Sequence, residues 1–316
     1  MQSARKTGKN LKFMNLRRRA RTDIPLLLMA LPGIVFFFLF HYMPMVGIQL
    51  AFRELMPASC IFHSEWVGFI KFQFMVKNAT FWAALKNTLF YNCIFLVTGI
   101  LFPMSLAIAL NEVRNKKAAR IYQSLLIMPH FVTYVVVSVI VFAIISADSG
   151  IISHMLQSMG KAPIAFYSQP KYWRFFLFFV YTWKGTGYSS IIYLGTITGI
   201  SDEYYEAAVI DGASKWQQSR HITSPFLKPM IVILAIMKVG SFFHSNFDLF
   251  YQVPMNSGPL YPVTNTIDVF VYNTLRESID VGMSAAVAFV QSICGFVLVV
   301  TTNAIIRKID DDLSMF

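Results

Sequence analysis

The chain has 316 residues, 56% hydrophobic and only 14% charged, with a mean hydropathy of +0.54. A soluble domain would carry about 25% charged residues and could not bury 30 phenylalanines and 16 methionines in its core, so lipid must cover part of the surface. The net charge of +11 does not indicate a nucleic-acid platform, because eight of the 27 Lys and Arg residues crowd the first 22 positions, directly before an apolar run and without the stacking aromatics such a platform uses.

Residues 1–23 therefore read as a basic juxtamembrane arm. A membrane-crossing helix needs about 20 mostly apolar residues, and six stretches meet this condition. They run over 24–52, 82–110, 121–146, 173–199, 229–253 and 281–306. The first is too long for a signal-peptide core and has no small-residue cleavage pattern behind it, so it reads as a retained helix. The intervening loop at 53–81 is aromatic and partly amphipathic, a composition suited to lying along the interface. The sequence shows no separate soluble domain and no internal repeat; residues 24–306 form one membrane domain, and 307–316 a short tail.

Basic residues are retained on the cytoplasmic side. Seventeen fall in the arm, the segments 111–120 and 200–228 and the tail, against seven in the alternate loops. Both termini are therefore expected in the cytoplasm. The three cysteines, Cys60, Cys93 and Cys294, have no CxxC spacing and no histidine at ligand spacing, so neither a disulfide framework nor a zinc site is expected.

Polar groups inside spans usually face a bundle interior or a wet cavity. The candidates for such a path are Asn87, Trp183, Lys184, Tyr188, Lys238, His244, Asn246 and Asp248. Lys184 and Lys238 admit two readings: cations that attract an acidic cargo, or side chains that snorkel to an interface or pair with Asp248. His244 and Asp248, four apart, would share a helix face, as a relay or metal pair or, more simply, in an interior hydrogen bond. No Ser-His-Asp pattern or HExxH motif supports an intramembrane enzyme.

Between the fourth and fifth stretches lies a polar block, EAAVIDGASKWQQSRHITSPF, at 206–226. Ser201 is placed to cap a short helix through Glu206, Ala207 and Ala208, with Asp202 and Glu203 at its positive end. Gly212 allows a bend, a second short helix is expected over 214–222, and Ser224 before Pro225 looks like the cap of the fifth span. On physics alone the block is either a solvated loop or a compact knob for a partner.

The spacing Glu206-Ala207-Ala208, three residues, Gly212, nine residues, Ile222, one residue, then a residue before Pro225 resembles the EAA loop of permease subunits in ATP-binding-cassette importers. Ser224 stands where that pattern has leucine. FWAALKNTLF at 81–90, IDGASKWQQ at 210–218 and GPLYPVTNTIDVFVY at 258–272 resemble one branch of the family, often labelled LplB-like, for oligosaccharides and polysaccharide fragments. The resemblance covers about 24–309.

It implies an all-α, six-helix, MetI-like permease of a type I importer in the bacterial cytoplasmic membrane. The implied partners are a homologous second permease, two ATPase subunits and an extracytoplasmic solute-binding protein. ATP and Mg would be bound by the ATPase, leaving no cofactor and no enzyme activity here, in keeping with the missing P-loop. By position, Glu206 would meet a polar or basic group of the ATPase, Ala207 and Ala208 would permit close packing, and Gly212 would set the bend. Asp211, Lys215 and Trp216 would support the rim. The expected cargo is an oligosaccharide, with an acidic one suggested by the lysines. The competing expectations are another solute carried by the same fold (amino acid, peptide or ion) and an ion-coupled secondary transporter.

Overall fold

The computed structural model describes residues 24–54 and 64–310. The basic arm, Cys60 and the acidic tail from 311 lie outside them. Helix α1 (Ile24–Phe52) tightens to 3₁₀ geometry from Met43 onward and exposes every side chain from Ile24 to Val46. A two-residue antiparallel pair, β1 (Arg53–Glu54) with β2 (Glu65–Trp66), interrupts the helices. Helix α2 (Ile70–Lys77) then lays Lys71 and Met75 inward. Lys71 is held there by two acids, Glu54 at 3.0 Å and Asp280 at 3.5 Å.

Asn78 caps α3 (Ala79–Asn111), whose 33 residues reach about 50 Å. Its polar side chains fasten a distant segment: Asn87 Nδ2 donates to the carbonyls of Pro262 (3.1 Å) and Asn265 (3.0 Å). Thr88 Oγ1 accepts from the Ile267 amide (2.9 Å) and Tyr91 donates to the Val263 carbonyl (2.9 Å). Against α3 packs α7 (Pro170–Ile197), with the Phe95 and Tyr181 rings stacked at 3.7 Å. The main core lies here, around Tyr91, Phe95, Trp173, Leu177, Leu249 and Val263.

The expected third span is in fact broken. Helix α4 (Lys116–Phe131) and α5 (Tyr134–Ile145) meet at 95°. Val132 is extended, Thr133 caps the new helix through the Val136 amide (3.4 Å), and Pro129 lies just ahead of the bend. Apolarity is continuous across the bend, which is why hydropathy alone reads one helix. A short α6 (Ile151–Ser158) leads on to α7.

After α7 come α8 (Asp202–Ile210), α9 (Lys215–Gln218) and α10 (Ser224–Gly240), the last two joined by a π turn at Ser219–Thr223. The chain is helical without interruption from Lys215 to Gly240, so Ser224 does not cap a new helix. It sits in αR geometry and donates its hydroxyl to the Ser219 carbonyl at 2.9 Å. Pro225, lacking an N–H, cannot serve the carbonyl four residues back, and the preceding turn widens to π spacing.

The fifth apolar stretch also ends early, at Gly240, where the chain turns before α11 (Phe247–Tyr251). Two short helices follow, α12 (Tyr261–Thr264) and α13 (Ile267–Ser278), and then the long α14 (Val281–Ile309). Among the described residues four helices are long and apolar enough to cross a membrane, or five if the bent α4–α5 pair counts as one span. At 28 residues α7 is long enough but too polar to join them. Cys93 is exposed, Cys294 partly so, and both are free thiols.

Candidate functional site

Where α4 breaks, Lys184 of α7 enters the gap. Its Nζ donates to the carbonyls of Pro129 (3.2 Å), His130 (3.1 Å) and Val132 at the end of the helix, where the last carbonyls lack intrahelical partners and that of Pro129 has the Val132 amide besides. The Tyr134 ring lies 4.7 Å from the same ammonium. One turn further along α7, Gly187 lets the α4 backbone come close: a Cβ there would stand 1.8 Å from the Leu126 carbonyl oxygen. Lysine and glycine together clamp the bend to α7.

A cavity of about 510 Å³ opens in the crook. Rings from His130, Phe131, Tyr134, Tyr181 and Tyr188 border it, with Thr98, Thr133, Thr182, Thr186 and Ser189 supplying hydroxyls. His130 and Tyr188 are stacked at 4.1 Å and 8°. From the end of α10 comes Lys238, and from the start of α11 come Asn246 and Asp248. Asn246 donates to the Tyr134 hydroxyl at 2.9 Å and accepts from the Leu249 amide, capping α11. A wall of aromatic faces, hydroxyls, one amide and separated charges offers sugar rings both stacking and hydrogen bonds.

Five of the eight sequence-derived path residues meet here: Lys184, Tyr188, Lys238, Asn246 and Asp248. Three do not. Asn87 is buried in the core, holding the 262–265 backbone. Trp183 is exposed and does not line the cavity. His244 borders a smaller cavity of about 190 Å³ and pairs with Asp268 of α13 (3.3 Å) rather than with Asp248. Because α10 stops at Gly240, the four-residue spacing of His244 and Asp248 never becomes a shared helix face. Neither lysine pairs with Asp248, since Lys184 is taken by carbonyls and Lys238 lies 3.3 Å from the Tyr181 hydroxyl.

Sequence reasoning missed Tyr134, Tyr181 and Asp268. The tyrosines look like ordinary aromatic filler, and Asp268 lies in a segment too polar to enter the search for spans. Asp268 accepts from the Ser245 amide and hydroxyl, from His244 and from Gln291, fixing the 241–246 turn against α13 and α14.

At the other end of α3 and α14 sits the polar block. Lys215 pairs with Glu112 just past α3 (3.3 Å), and Lys228 with Asp310 just past α14 (3.3 Å). Ser201 caps α8 through the Glu203 amide at 3.4 Å, and Gly212 takes φ +77°. Ser214 and Gln217 form a reciprocal capping box on α9. Glu206, Ala207, Asp211, Gly212, Lys215 and Trp216 are all exposed, while Ala208 is partly covered. Val209, Ile210 and Trp216 show 60%, 86% and 74% of their surface, an apolar tip on a polar knob.

A model of the family described as "Binding-protein-dependent transport system inner membrane component" matches residues 99–311. The chain is 32% identical to Protein LplB of Bacillus subtilis (strain 168), over 96% of this chain and 94% of that one. It is 34% identical to the polygalacturonan/rhamnogalacturonan transport system permease protein YteP of the same organism, over 91% and 89%. Among solved structures it superposes with a TM-score of 0.84 and 29% identity on a chain of a bacterial ABC transporter involved in the import of the acidic polysaccharide alginate, covering 94% of this chain and 99% of that one. A second structure of the alginate transporter, in complex with alginate pentasaccharide-bound periplasmic protein, matches with a TM-score of 0.83 and 28% identity, over 92% and 97%. The chain belongs to the binding-protein-dependent transport permeases, and its all-helical architecture is the MetI-like permease fold.

Proposed function

We propose that this chain is the membrane subunit of an ABC importer for oligosaccharides, acidic ones included, with the 510 Å³ cavity as its part of the translocation path. The observation that carries the reading is the cavity wall: five aromatic rings and eight hydroxyls, three of them on tyrosines, with the exposed charges of Lys238 and Asp248. Relatives named for polygalacturonan, rhamnogalacturonan and alginate support the acidic cargo. Family membership favours an ATP-driven importer over an ion-coupled secondary transporter.

In this reading the chain crosses the bacterial cytoplasmic membrane six times, counting α7 and taking α4–α5 as one broken span, with both termini inside. The exposed tip around Val209, Ile210 and Trp216 docks on an ATPase subunit, which holds the ATP and magnesium. Glu206, Ala207, Ala208, Asp211, Gly212 and Lys215 form the contact and its rim. A second permease completes the path, and an extracytoplasmic binding protein delivers the sugar.

The test is uptake of labelled oligogalacturonide by proteoliposomes holding this chain with its second permease, ATPases and binding protein. Uptake that requires internal ATP and the binding protein is the expected result. Uptake that persists without the ATPase subunits overturns the reading.

A further inference from the structure

Lys184 and Lys238 both line the larger cavity, yet their ammonium groups are in opposite situations. An ammonium has three hydrogens to donate. Those of Lys184 are met by three carbonyls at the end of α4, with the Tyr134 ring alongside, and the residue is 7% exposed. It has nothing to offer a cargo without undoing the bend.

Lys238 is exposed in the last turn of α10. Among the described residues its hydrogen-bond partner is the neutral Tyr181 hydroxyl, and it forms no ion pair. Two of its hydrogens remain, and so does the hydrogen of Tyr181, whose oxygen is the acceptor. Lys238 also stands where the two cavities adjoin, since Tyr181, Lys238 and Asn246 line both. The other basic group of the smaller cavity, His244, already has Asp268.

We propose that Lys238, with Tyr181 beside it, is the residue of this chain that selects a cargo bearing a carboxylate, while Lys184 positions the cavity wall and does not touch the cargo. The inference rests on the oligosaccharide reading above. A uronate carboxylate at this wall accepts one charge-assisted bond from Lys238 and a second from the Tyr181 hydroxyl. Asp248, on the same cavity, repels the carboxylate and accepts from sugar hydroxyls, which fixes which edge of the ring faces which wall. A neutral sugar strips water from the same ammonium and returns no charge to it, and a site built for a polar partner discriminates against the analogue lacking it.

The experiment uses the complete importer in proteoliposomes and a matched pair of probes, trigalacturonate and its fully methyl-esterified form. Each variant is compared with wild type using the same binding protein, so that protein's own selectivity cancels in the ratio. Lys238→Met is expected to lower kcat/KM for trigalacturonate about 10- to 100-fold, the range for a lost hydrogen bond to a charged group, and to lower the ester's far less. Lys238→Arg is expected to keep the preference. Lys184→Met is expected to lower both probes together. Equal losses for both probes in Lys238→Met, or a selective loss of trigalacturonate in Lys184→Met, overturn the assignment. If wild type imports neither probe, the oligosaccharide reading fails first and the assignment with it.

Discussion

The two ends of the molecule are held together by different kinds of contact. At the polar block most bonds are local, Ser201 to Glu203, Ser214 to Gln217, Gln218 to Ala213 and His221 to Gln217, and the exposed Lys215–Glu112 pair is a long-range tie. Around the cavity they span the chain: Lys184 to Pro129 across 55 residues, Lys238 to Tyr181 across 57 and Tyr134 to Asn246 across 112. A unit closed by its own near neighbours can be moved as a body. A wall built from remote segments changes shape when any one of them shifts, so it is the part that must be rigidly clamped.

That contrast can be broken or sharpened by substitution. The largest effect is expected from Gly187→Val, which drives a side chain into the α4 backbone and has no flexible neighbour to yield. Loss of monodisperse protein after detergent extraction checks it. Lys184→Met strands the His130 and Val132 carbonyls at the bend and is expected to cost about 3 kcal/mol, read as a lowered unfolding midpoint in detergent. At the other end, Gly212→Ala places a Cβ at φ +77° and is expected to cost about 1 kcal/mol. Smallest for stability is Trp216→Ala, whose ring is mostly exposed: a shift within about 0.5 kcal/mol, measured by the same unfolding midpoint, together with a large fall in uptake. If Trp216→Ala destabilises as much as Lys184→Met, the local and remote ends are not separate units.

The same contrast explains how much was legible beforehand. Ser201, Gly212 and the short helices around them follow from neighbouring residues, so capping and turn rules find them. The ends of α3 and α14 follow from apolar length. The break in α4–α5 and the early stop at Gly240 do not: apolar residues run on through the first, Phe242, Phe243, Phe247 and Phe250 recur among the polar residues after the second, and the groups that stabilise each turn, Lys184 and Asp268, come from elsewhere in the chain. For the same reason Tyr188 and Asn246 were found by polarity alone, whereas Trp183 and Asn87 have the right chemistry on the wrong side of a helix. His244 and Asp248 show the error most directly, since a four-residue spacing has meaning only if the helix is continuous.

One consequence follows from the unbroken helix between Lys215 and Gly240. Lys215 at the exposed knob and Lys238 at the cavity wall lie on a single rod, roughly 35 Å apart at 1.5 Å per residue. A displacement of the knob therefore reaches the cavity wall without crossing a loop. The wide turn at Ser219–Thr223 is the one place where the rod's pitch departs from regular α geometry, and so where its stroke can be lengthened or absorbed.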